Sequence, residues 1–184
     1  KELLWPYLDE LTQKLIDYYQ KPQNKPNWIH AHYADAGYVG VRLSKFLKVP
    51  LIFTGHSLGR EKKRKLIDAG LNNKQLEKLY FISKRINAEE EALKHADIVV
   101  TSTSQESVYQ YSQYQSYDKA KSRVISPGVD HTKFHHIHST TETSDVDYMM
   151  NPFLKDLMKP PLLAISRAVR RKNIPLLVEA FGKS

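Results

Sequence analysis

The 184-residue sequence contains no cysteine. This absence excludes disulfide bonds, thiolate catalysis and cysteine-ligated zinc sites. Long apolar runs are missing as well: a run such as residues 160–165 falls far below the roughly 20 residues that a membrane-spanning helix needs. We therefore expect a chain that does not enter a membrane, and the lack of cysteine favours the cytoplasm as its compartment.

Recognisable cofactor motifs are also absent. The 7 glycines do not form the glycine-rich fingerprint of a dinucleotide-binding enzyme or of a phosphate-binding loop. His131, His135, His136 and His138 lie close together, but no carboxylate or cysteine accompanies them at a standard zinc spacing. The sequence therefore predicts no bound metal and no cofactor.

Positive charge is in excess, with a formal net charge of +8, so the chain should attract anions. Two basic runs, residues 60–65 and 167–172, each follow a predicted strand, whereas DNA-binding surfaces commonly carry their cations along one exposed helix face. Neither run alternates with aromatic residues on which single-stranded nucleic acid could stack. We expect small phosphorylated ligands rather than nucleic acid, with only one or two functional cations in each run.

Apolar spacing predicts alternating helices and strands over residues 1–130. Helices are expected at residues 4–18 and 36–47, in the charged stretch before Gly70, and at 74–95 in one or two pieces. Strands are expected at residues 28–31, 51–53, 97–101 and 123–125. Asp35 and Ser104 are the expected helix caps. Alternation with short connections favours an α/β fold, a doubly wound, Rossmann-like parallel sheet flanked by helices.

The alternation of predicted strands and helices stops after about residue 130 and resumes at residue 162. Residues 131–160 are polar and read as a partly flexible linker. An apolar strand at 162–166, a cap at Asn173 and a helix at 174–181 would then begin a second domain over residues 161–184. Because a lone strand-helix unit cannot bury its own apolar face, we expect the chain to be a piece of a longer protein.

His56 lies where an apolar strand ends and basic residues begin. Gly55 and Gly59 favour a turn there. In open α/β sheets, ligands bind beyond the carboxyl ends of the strands. A His-Ser pair alone is more typical of packing than of chemistry, so the role of His56 depends on its neighbours.

Other candidate residues have simpler interpretations. We expect His30 and His32 to face opposite sides of the sheet, one in the core and His32 able to line a cleft. Asp35 is better explained as a helix cap, and the glutamates at 89–91 as a solvated helix face, than as catalytic carboxylates.

Five motifs occur in register along the chain: His-Ala-His-Tyr-Ala-Asp-Ala-Gly at 30–37, Thr-Gly-His-Ser-Leu-Gly at 54–59, Thr-Ser-Thr-Ser-Gln-Glu at 101–106, Pro-Gly-Val-Asp at 127–130 and Ser-Arg-Ala-Val-Arg-Arg-Lys-Asn at 166–173. Together they resemble the retaining GT-B glycosyltransferases, in the branch of the sucrose and sucrose-phosphate synthases. The resemblance covers about residues 26–182. It implies two Rossmann-like domains: an acceptor-binding domain, of which residues 1–130 are the later part, and a nucleotide-sugar-binding domain that begins at about 161.

The resemblance implies transfer of glucose from UDP-glucose to fructose 6-phosphate, giving sucrose 6-phosphate with retention at the anomeric carbon. His56 matches the active-site histidine of the family, which holds the donor hexose. Arg167 and Lys172 match the two cations that stabilise the diphosphate of the leaving UDP. The partners implied are therefore a nucleotide sugar and a sugar phosphate.

The acceptor phosphate is assigned by the same resemblance. Ser57 and Lys62 match residues that contact it, and Lys84 and Arg85 match a basic pair that is commonly Arg-Arg. Lysine at position 84 keeps the charge but loses the bidentate fork of arginine. Residues 168–170 replace the more usual Pro-Asp-Pro, which alters loop shape more than charge.

Alternatives remain open at this point. A mannosylfructose-phosphate synthase would share the acceptor and use another sugar nucleotide, and a sucrose synthase-like transferase would use free fructose. A binding or regulatory module would keep the sugar-phosphate site and do no chemistry. In each case we expect the 184-residue chain alone to be inactive.

Overall fold

The computed structural model describes residues 2–134, 145–154, 156, 159 and 162–183. The chain divides into two compact units, Lys1–Val129 and Asp130–Ser184, which are described separately. The division into 1–130, 131–160 and 161–184 stays a prediction. No helix in the described ranges is long and apolar enough to cross a membrane.

The first unit alternates strands and helices, as the apolar spacing predicts. Its strands are β1 Ile29–His32, β2 Leu51–Thr54, β3 Ile98–Thr101 and β4 Ser122–Val124. Its helices are α1 Leu8–Tyr19, α2 Tyr33–Leu47, α3 Gly59–Asp68, α4 Asn73–Tyr80 and α5 Ile82–His95. The strands form one sheet in the order β1-β2-β3-β4, and every neighbouring pair is parallel. The predicted α/β fold with a parallel sheet is confirmed.

One face of the sheet carries the hydrophobic core. Ala31, Phe53 and Val99 project from neighbouring strands into a cluster with Val41 of α2 and Leu93 of α5. Because side chains alternate along a strand, the residues directly before and after each of these three lie on the opposite face of the sheet, which is more exposed. Burial on one face therefore fixes the register of the strands.

Helix boundaries depart from the predictions where special backbone chemistry intervenes. The 3-10 stretch Glu2–Tyr7 precedes α1 and contains Pro6, which lacks a backbone N–H. Phe81, with φ 46°, breaks the predicted long helix into α4 and α5. The predicted cap at Asp35 is wrong, because α2 starts two residues earlier and its start has no side-chain hydrogen bond. Thr103, not Ser104, caps the segment after β3, its Oγ1 accepting from the Glu106 N–H at 3.1 Å.

The second unit contains α6 Asp145–Met150 and α7 Ile174–Lys183, which confirms the predicted helix at 174–181. The predicted strand at 162–166 is wrong, because residues 162–169 are irregular and exposed. A strand forms only against a partner strand, and no strand pairs with this segment in the described ranges. Apolar sequence alone therefore does not make it a strand.

Candidate functional site

The carboxyl ends of β1 and β2 lie side by side, with His32 paired to Thr54. Each strand is followed by a residue in the left-handed backbone region: Tyr33, with φ 70°, and His56, with φ 54°. That conformation costs a non-glycine residue about 1–2 kcal/mol. Strain of this kind persists where the surrounding structure imposes it, and it clusters at functional sites. This edge of the sheet is therefore a candidate functional site.

A row of histidines lies at this edge. His32 Nδ1 lies 2.8 Å from His56 Nε2, and the two rings stack with centroids 5.0 Å apart. The His30 ring lies 4.0 Å from that of His32, and His30 Nε2 lies 2.9 Å from Thr54 Oγ1. The expectation that His30 and His32 face opposite sides is wrong, because residues two apart on a strand share a face. Both are exposed, so neither belongs to the core.

These contacts influence the charge of the imidazoles. Burial lowers the pKa of His56, the nearby His32 lowers it further, and Glu106 opposes the shift. Burial also lowers the pKa of His30, with further contributions from His32 and His56. His56 is therefore neutral at neutral pH, and a neutral imidazole can donate one hydrogen bond and accept another.

Three of the four residues predicted to bind the acceptor phosphate line one pocket in the first unit: Ser57, Lys62 and Arg85. The pocket has a volume of about 90 Å³. A cavity needs roughly 10–15 Å³ of such volume to hold one water, so the pocket has room for a small polar group. The structure therefore brings together a hydroxyl, an ammonium and a guanidinium from two separate segments.

Arg85 is held in place by hydrogen bonds at both sides of its guanidinium. Its Nε donates to Glu89 Oε1 at 3.1 Å, and its Nη2 donates to the Ser57 carbonyl. The side chain is only 17% exposed. On the facing segment, Lys62 Nζ lies 4.1 Å from the centroid of the Tyr80 ring. Both cations therefore have defined positions at the pocket.

Lys84, the fourth predicted phosphate ligand, lies beside the pocket. Its Nζ is 5.4 Å from the ring centroid of Trp5, and Trp5 itself lines the pocket. Between the two members of the predicted basic pair, Arg85 thus contacts the pocket directly, whereas Lys84 contacts its aromatic wall.

The loop that carries His56 and Ser57 is fixed at its two glycines. The Gly55 N–H donates to Tyr111 Oη at 2.7 Å, and a Cβ at Gly55 would lie 2.4 Å from Leu58 Cδ2. The Gly59 N–H donates to both carboxylate oxygens of Glu89, at 3.1 and 2.8 Å. Burial raises the pKa of Tyr111 to about 12, so its hydroxyl keeps its proton. The two backbone hydrogen bonds therefore fix the loop, and a side chain at Gly55 would have to displace Leu58.

Comparison with known proteins identifies the family. The sequence model of the sucrose synthase first GT-B domain matches residues 2–134. The chain belongs to this family. The resemblance to the sucrose and sucrose-phosphate synthase branch of the GT-B glycosyltransferases is thereby confirmed.

Two curated relatives of this GT-B family illustrate the likeness. The probable sucrose-phosphate synthase 1 of Citrus unshiu is 34% identical, over the whole of this chain and 22% of that protein. The sucrose-phosphate synthase of Spinacia oleracea is 33% identical, with the same coverage. The chain therefore spans about a fifth of the length of these relatives.

Among solved structures, a sucrose-phosphate synthase from Thermosynechococcus elongatus superposes with a TM-score of 0.72. It is 24% identical, and the match covers all of this chain and 40% of that one. At this identity the likeness shows the fold.

The glutamates at 89–91 are not the solvated face that the sequence indicates. Glu89 is fully buried, and Glu90 accepts hydrogen bonds from Arg60 and from the backbone N–H groups of Gln115 and Ser116. Glu91 pairs with Arg42 at 3.4 Å. In this GT-B domain the run joins α5 to its neighbours instead of facing water.

The remaining pocket lining was not foreseen from the sequence. Trp5, Tyr33 and Tyr80 supply aromatic walls, and Ala34 and Asp35 of the first turn of α2 complete the pocket. Tyr33 and Asp35 belong to the quoted His-Ala-His-Tyr-Ala-Asp motif, which could have indicated them. Trp5 and Tyr80 come from other segments, so no local signal links them to the site.

Arg167 and Lys172, predicted to bind the nucleotide sugar, belong to the second unit. Arg167 lies on an irregular, exposed segment, and Lys172 ends the 3-10 turn Arg170–Lys172 directly before α7. Both residues precede α7, but the strand predicted before them is not formed in the described ranges, and the role of both residues stays a prediction.

The histidines considered for zinc fall mostly outside the described residues. His135, His136 and His138 lie there, and His131 is described. Within the described ranges, no group of three or more histidine, aspartate or glutamate side chains is arranged to hold a metal ion.

Proposed function

We propose that the chain forms the acceptor-binding part of a retaining glycosyltransferase that moves glucose from UDP-glucose to fructose 6-phosphate, giving sucrose 6-phosphate. The observation that carries this proposal is the shared pocket of Ser57, Lys62 and Arg85 next to His56. Membership of the sucrose synthase GT-B family supports it. The enzyme is expected to act in the cytoplasm without a bound cofactor.

The pocket suits a phosphate dianion. An arginine with its Nε already fixed offers its remaining N–H groups in a rigid plane, and a lysine adds a point charge. Hydrogen bonds in which both partners are charged are among the stronger ones in proteins. The positive end of the α2 dipole lies at the same pocket, because its first turn lines it. Asp35 opposes the anion, so the cations must outweigh one carboxylate.

The aromatic wall at Tyr33 suits the sugar that carries the phosphate. Tyr33, which is 38% exposed, offers a flat apolar ring with a polar edge, whereas Trp5 is largely buried and Lys62 Nζ lies over the Tyr80 ring. The C–H faces of a hexose can pack on such a ring while its hydroxyls bond to polar groups. This combination favours a sugar phosphate over an inorganic anion as the ligand.

The reacting centre is assigned to His56. As a neutral imidazole it can hold a hydroxyl of the donor hexose without repelling the oxocarbenium-like charge that develops at the anomeric carbon. Negative charge develops on the diphosphate as the glycosidic bond to UDP breaks. We propose that Arg167 and Lys172 are already in position before the reaction starts and stabilise that charge.

The test is an assay of the full-length natural protein that carries this chain, with UDP-glucose and either fructose 6-phosphate or free fructose. We expect product formation with the phosphorylated acceptor to be far more efficient. Equal rates would refute the phosphate-site assignment. Activity only with another sugar nucleotide would favour a mannosylfructose-phosphate synthase. No transfer with any donor, but calorimetric binding of fructose 6-phosphate, would favour a non-catalytic sugar-phosphate-binding module.

A matched pair of variants then tests the pocket. Arg85→Gln should raise the KM for fructose 6-phosphate about 10- to 150-fold, the value of a charged hydrogen bond of about 1.5–3 kcal/mol. The control is Arg64→Gln, because Arg64 is exposed and pairs with Glu61 and Asp68 away from the pocket. An equal effect of both variants would contradict the assignment.

A further inference from the structure

Glu89 is a fully buried carboxylate that contacts three segments of the first unit. Both of its oxygens accept from the Gly59 N–H, Oε1 accepts from Arg85 Nε at 3.1 Å, and Oε2 accepts from the hydroxyl of Tyr114. No role for it follows from the reaction, because it does not line the pocket.

Its partners connect it to every cation of the pocket. Arg85 lines the pocket directly, and Gly59 is the first residue of α3, the helix that carries Lys62. Arg85 also donates through Nη2 to the carbonyl of Ser57. Glu89 therefore links the two segments from which the predicted phosphate ligands project, and it contacts Arg85 itself.

The packing around Glu89 leaves this arrangement little freedom. A Cβ at Gly59 would lie 2.8 Å from Glu89 Oε2 and 2.9 Å from Ile86 Cγ1, so the backbone approaches α5 as closely as glycine allows. A buried charge is tolerated only where donors surround it. Burial raises the pKa of Glu89, and the donors from Tyr114, Arg85 and Gly59 oppose this shift by stabilising the charged form.

We propose that Glu89 is a positioning residue for the acceptor phosphate: it holds Arg85 and the start of α3 so that Arg85, Lys62 and Ser57 converge on one anion. The proposal rests on the proposed function of the pocket. Glu89 acts through Arg85 and through the backbone of Gly59, and it does not touch the ligand. Loss of the Glu89 carboxylate should therefore weaken the binding of the phosphorylated acceptor and leave the binding of the nucleotide sugar unchanged.

The first experiment compares Glu89→Gln with Glu90→Gln in the full-length natural protein. Glutamine at 89 replaces one acceptor oxygen by an N–H₂ donor and removes the charge that orients Arg85. We expect the KM for fructose 6-phosphate to rise about tenfold, within the range of coupled neighbouring groups, with the KM for UDP-glucose unchanged. Glu90 is the matched control: it has three hydrogen-bond donors, Arg60 and two backbone N–H groups, but contacts no pocket-lining residue.

The second experiment separates positioning from general stability. If Glu89 acts through Arg85 and the start of α3, the double variant Arg85→Gln/Glu89→Gln should raise the KM for fructose 6-phosphate by much less than the product of the two single effects, because Arg85 is already lost. A purely structural role predicts instead that the two effects multiply and that Glu90→Gln weakens the acceptor equally. Either result would overturn the proposal.

Two further outcomes are covered. If Glu89→Gln does not fold, Glu89→Asp is used, which keeps the charge but draws the carboxylate back by one methylene; an unchanged KM then counts against positioning. If the unmodified protein shows no preference for fructose 6-phosphate over fructose, the proposed function fails. If it shows that preference and Glu89→Gln retains it in full, only the role of Glu89 fails.

Discussion

The two basic runs look alike in sequence but differ in the structure. In α3, Arg60 pairs with Glu90 at 2.8 Å, and Arg64 and Lys65 pair with Glu61 at 2.7 and 3.1 Å. Lys62 lies over Tyr80 at the pocket. In the second run, residues 167–169 lie on an exposed and irregular segment of the second unit, and Arg170–Lys172 form a 3-10 turn.

The difference lies in how the cations of each run are placed. Charge density is similar in both runs, but in α3 Arg60, Arg64 and Lys65 pair with carboxylates, and Lys62 lies at the pocket. Exposed ion pairs contribute little to stability, typically about 0–1 kcal/mol. Their main effect here is to fix the positions of the cations. Among the described residues, no such ion pairs are formed by the second run. The assignment of Arg167 and Lys172 therefore depends on the family motif.

The largest expected effect tests that second run. In the full-length natural protein, Lys172→Gln should lower kcat about 100-fold, since one preorganised group that stabilises developing charge is typically worth 10²–10³ in kcat. The KM for the acceptor should not change. Steady-state kinetics with both substrates varied measures this.

The control for Lys172 is Lys183→Gln. Lys183 pairs with Glu179 on α7 at 2.5 Å, so its charge is already occupied within the helix. We expect wild-type kinetics for it. If Lys172→Gln also behaves as wild type, the second run is a solvated basic loop and the contrast with α3 becomes one of function as well as of structure.

A smaller effect concerns how tightly each region is packed. Gly55→Ala places a Cβ 2.4 Å from Leu58 Cδ2 and 3.0 Å from Tyr111 Oη, so we expect a loss of about 1–3 kcal/mol in the free energy of unfolding. Gly182→Ala in α7 meets nothing within 4 Å and should be neutral or stabilising by up to about 1 kcal/mol, because alanine favours helix. Melting temperatures of the two variants check this, and a similar shift in both would contradict it.

How far the sequence predicts the fold depends on whether the signal is local. Strands β1 to β4 and the helices between them follow from apolar spacing and from glycine and proline positions. The strand expected at 162–166 failed, because pairing depends on a partner that spacing does not reveal. The left-handed backbone conformation of Tyr33 and His56 was also not predicted, since neither residue is the glycine that usually marks such a conformation.

The site divides in the same way. The family motifs indicate Ser57, Lys62 and Arg85, which the structure brings to one pocket. Glu89 escaped because three consecutive glutamates on a helix usually face water. Its donors Gly59 and Tyr114 lie 30 and 25 residues away, so only the tertiary structure reveals that it is buried and hydrogen-bonded.

The smallest effect concerns the titration of His56, a property that the packed edge of the first unit should impose. Its pKa in the folded protein should lie below 6.5, because burial and then His32 disfavour the charged ring. The unfolded chain then takes up the proton more readily. The stability contribution of His56 is therefore constant above about pH 6.5 and is lost as the pH falls from there toward the folded pKa.

NMR titration of the histidine ring protons in the natural protein and in His32→Asn measures this directly. Removing the charge of His32 should move the pKa of His56 back toward 6.5, while burial keeps it from returning fully. His95 is the internal control, because burial lowers its pKa too, but its neighbouring charges are Lys45, Glu91, Lys94 and Lys121 rather than His32. Equal movement of both histidines would indicate a general loosening of the fold. An unmoved His56 would mean that the hydrogen bond to His32 orients the ring without influencing its charge.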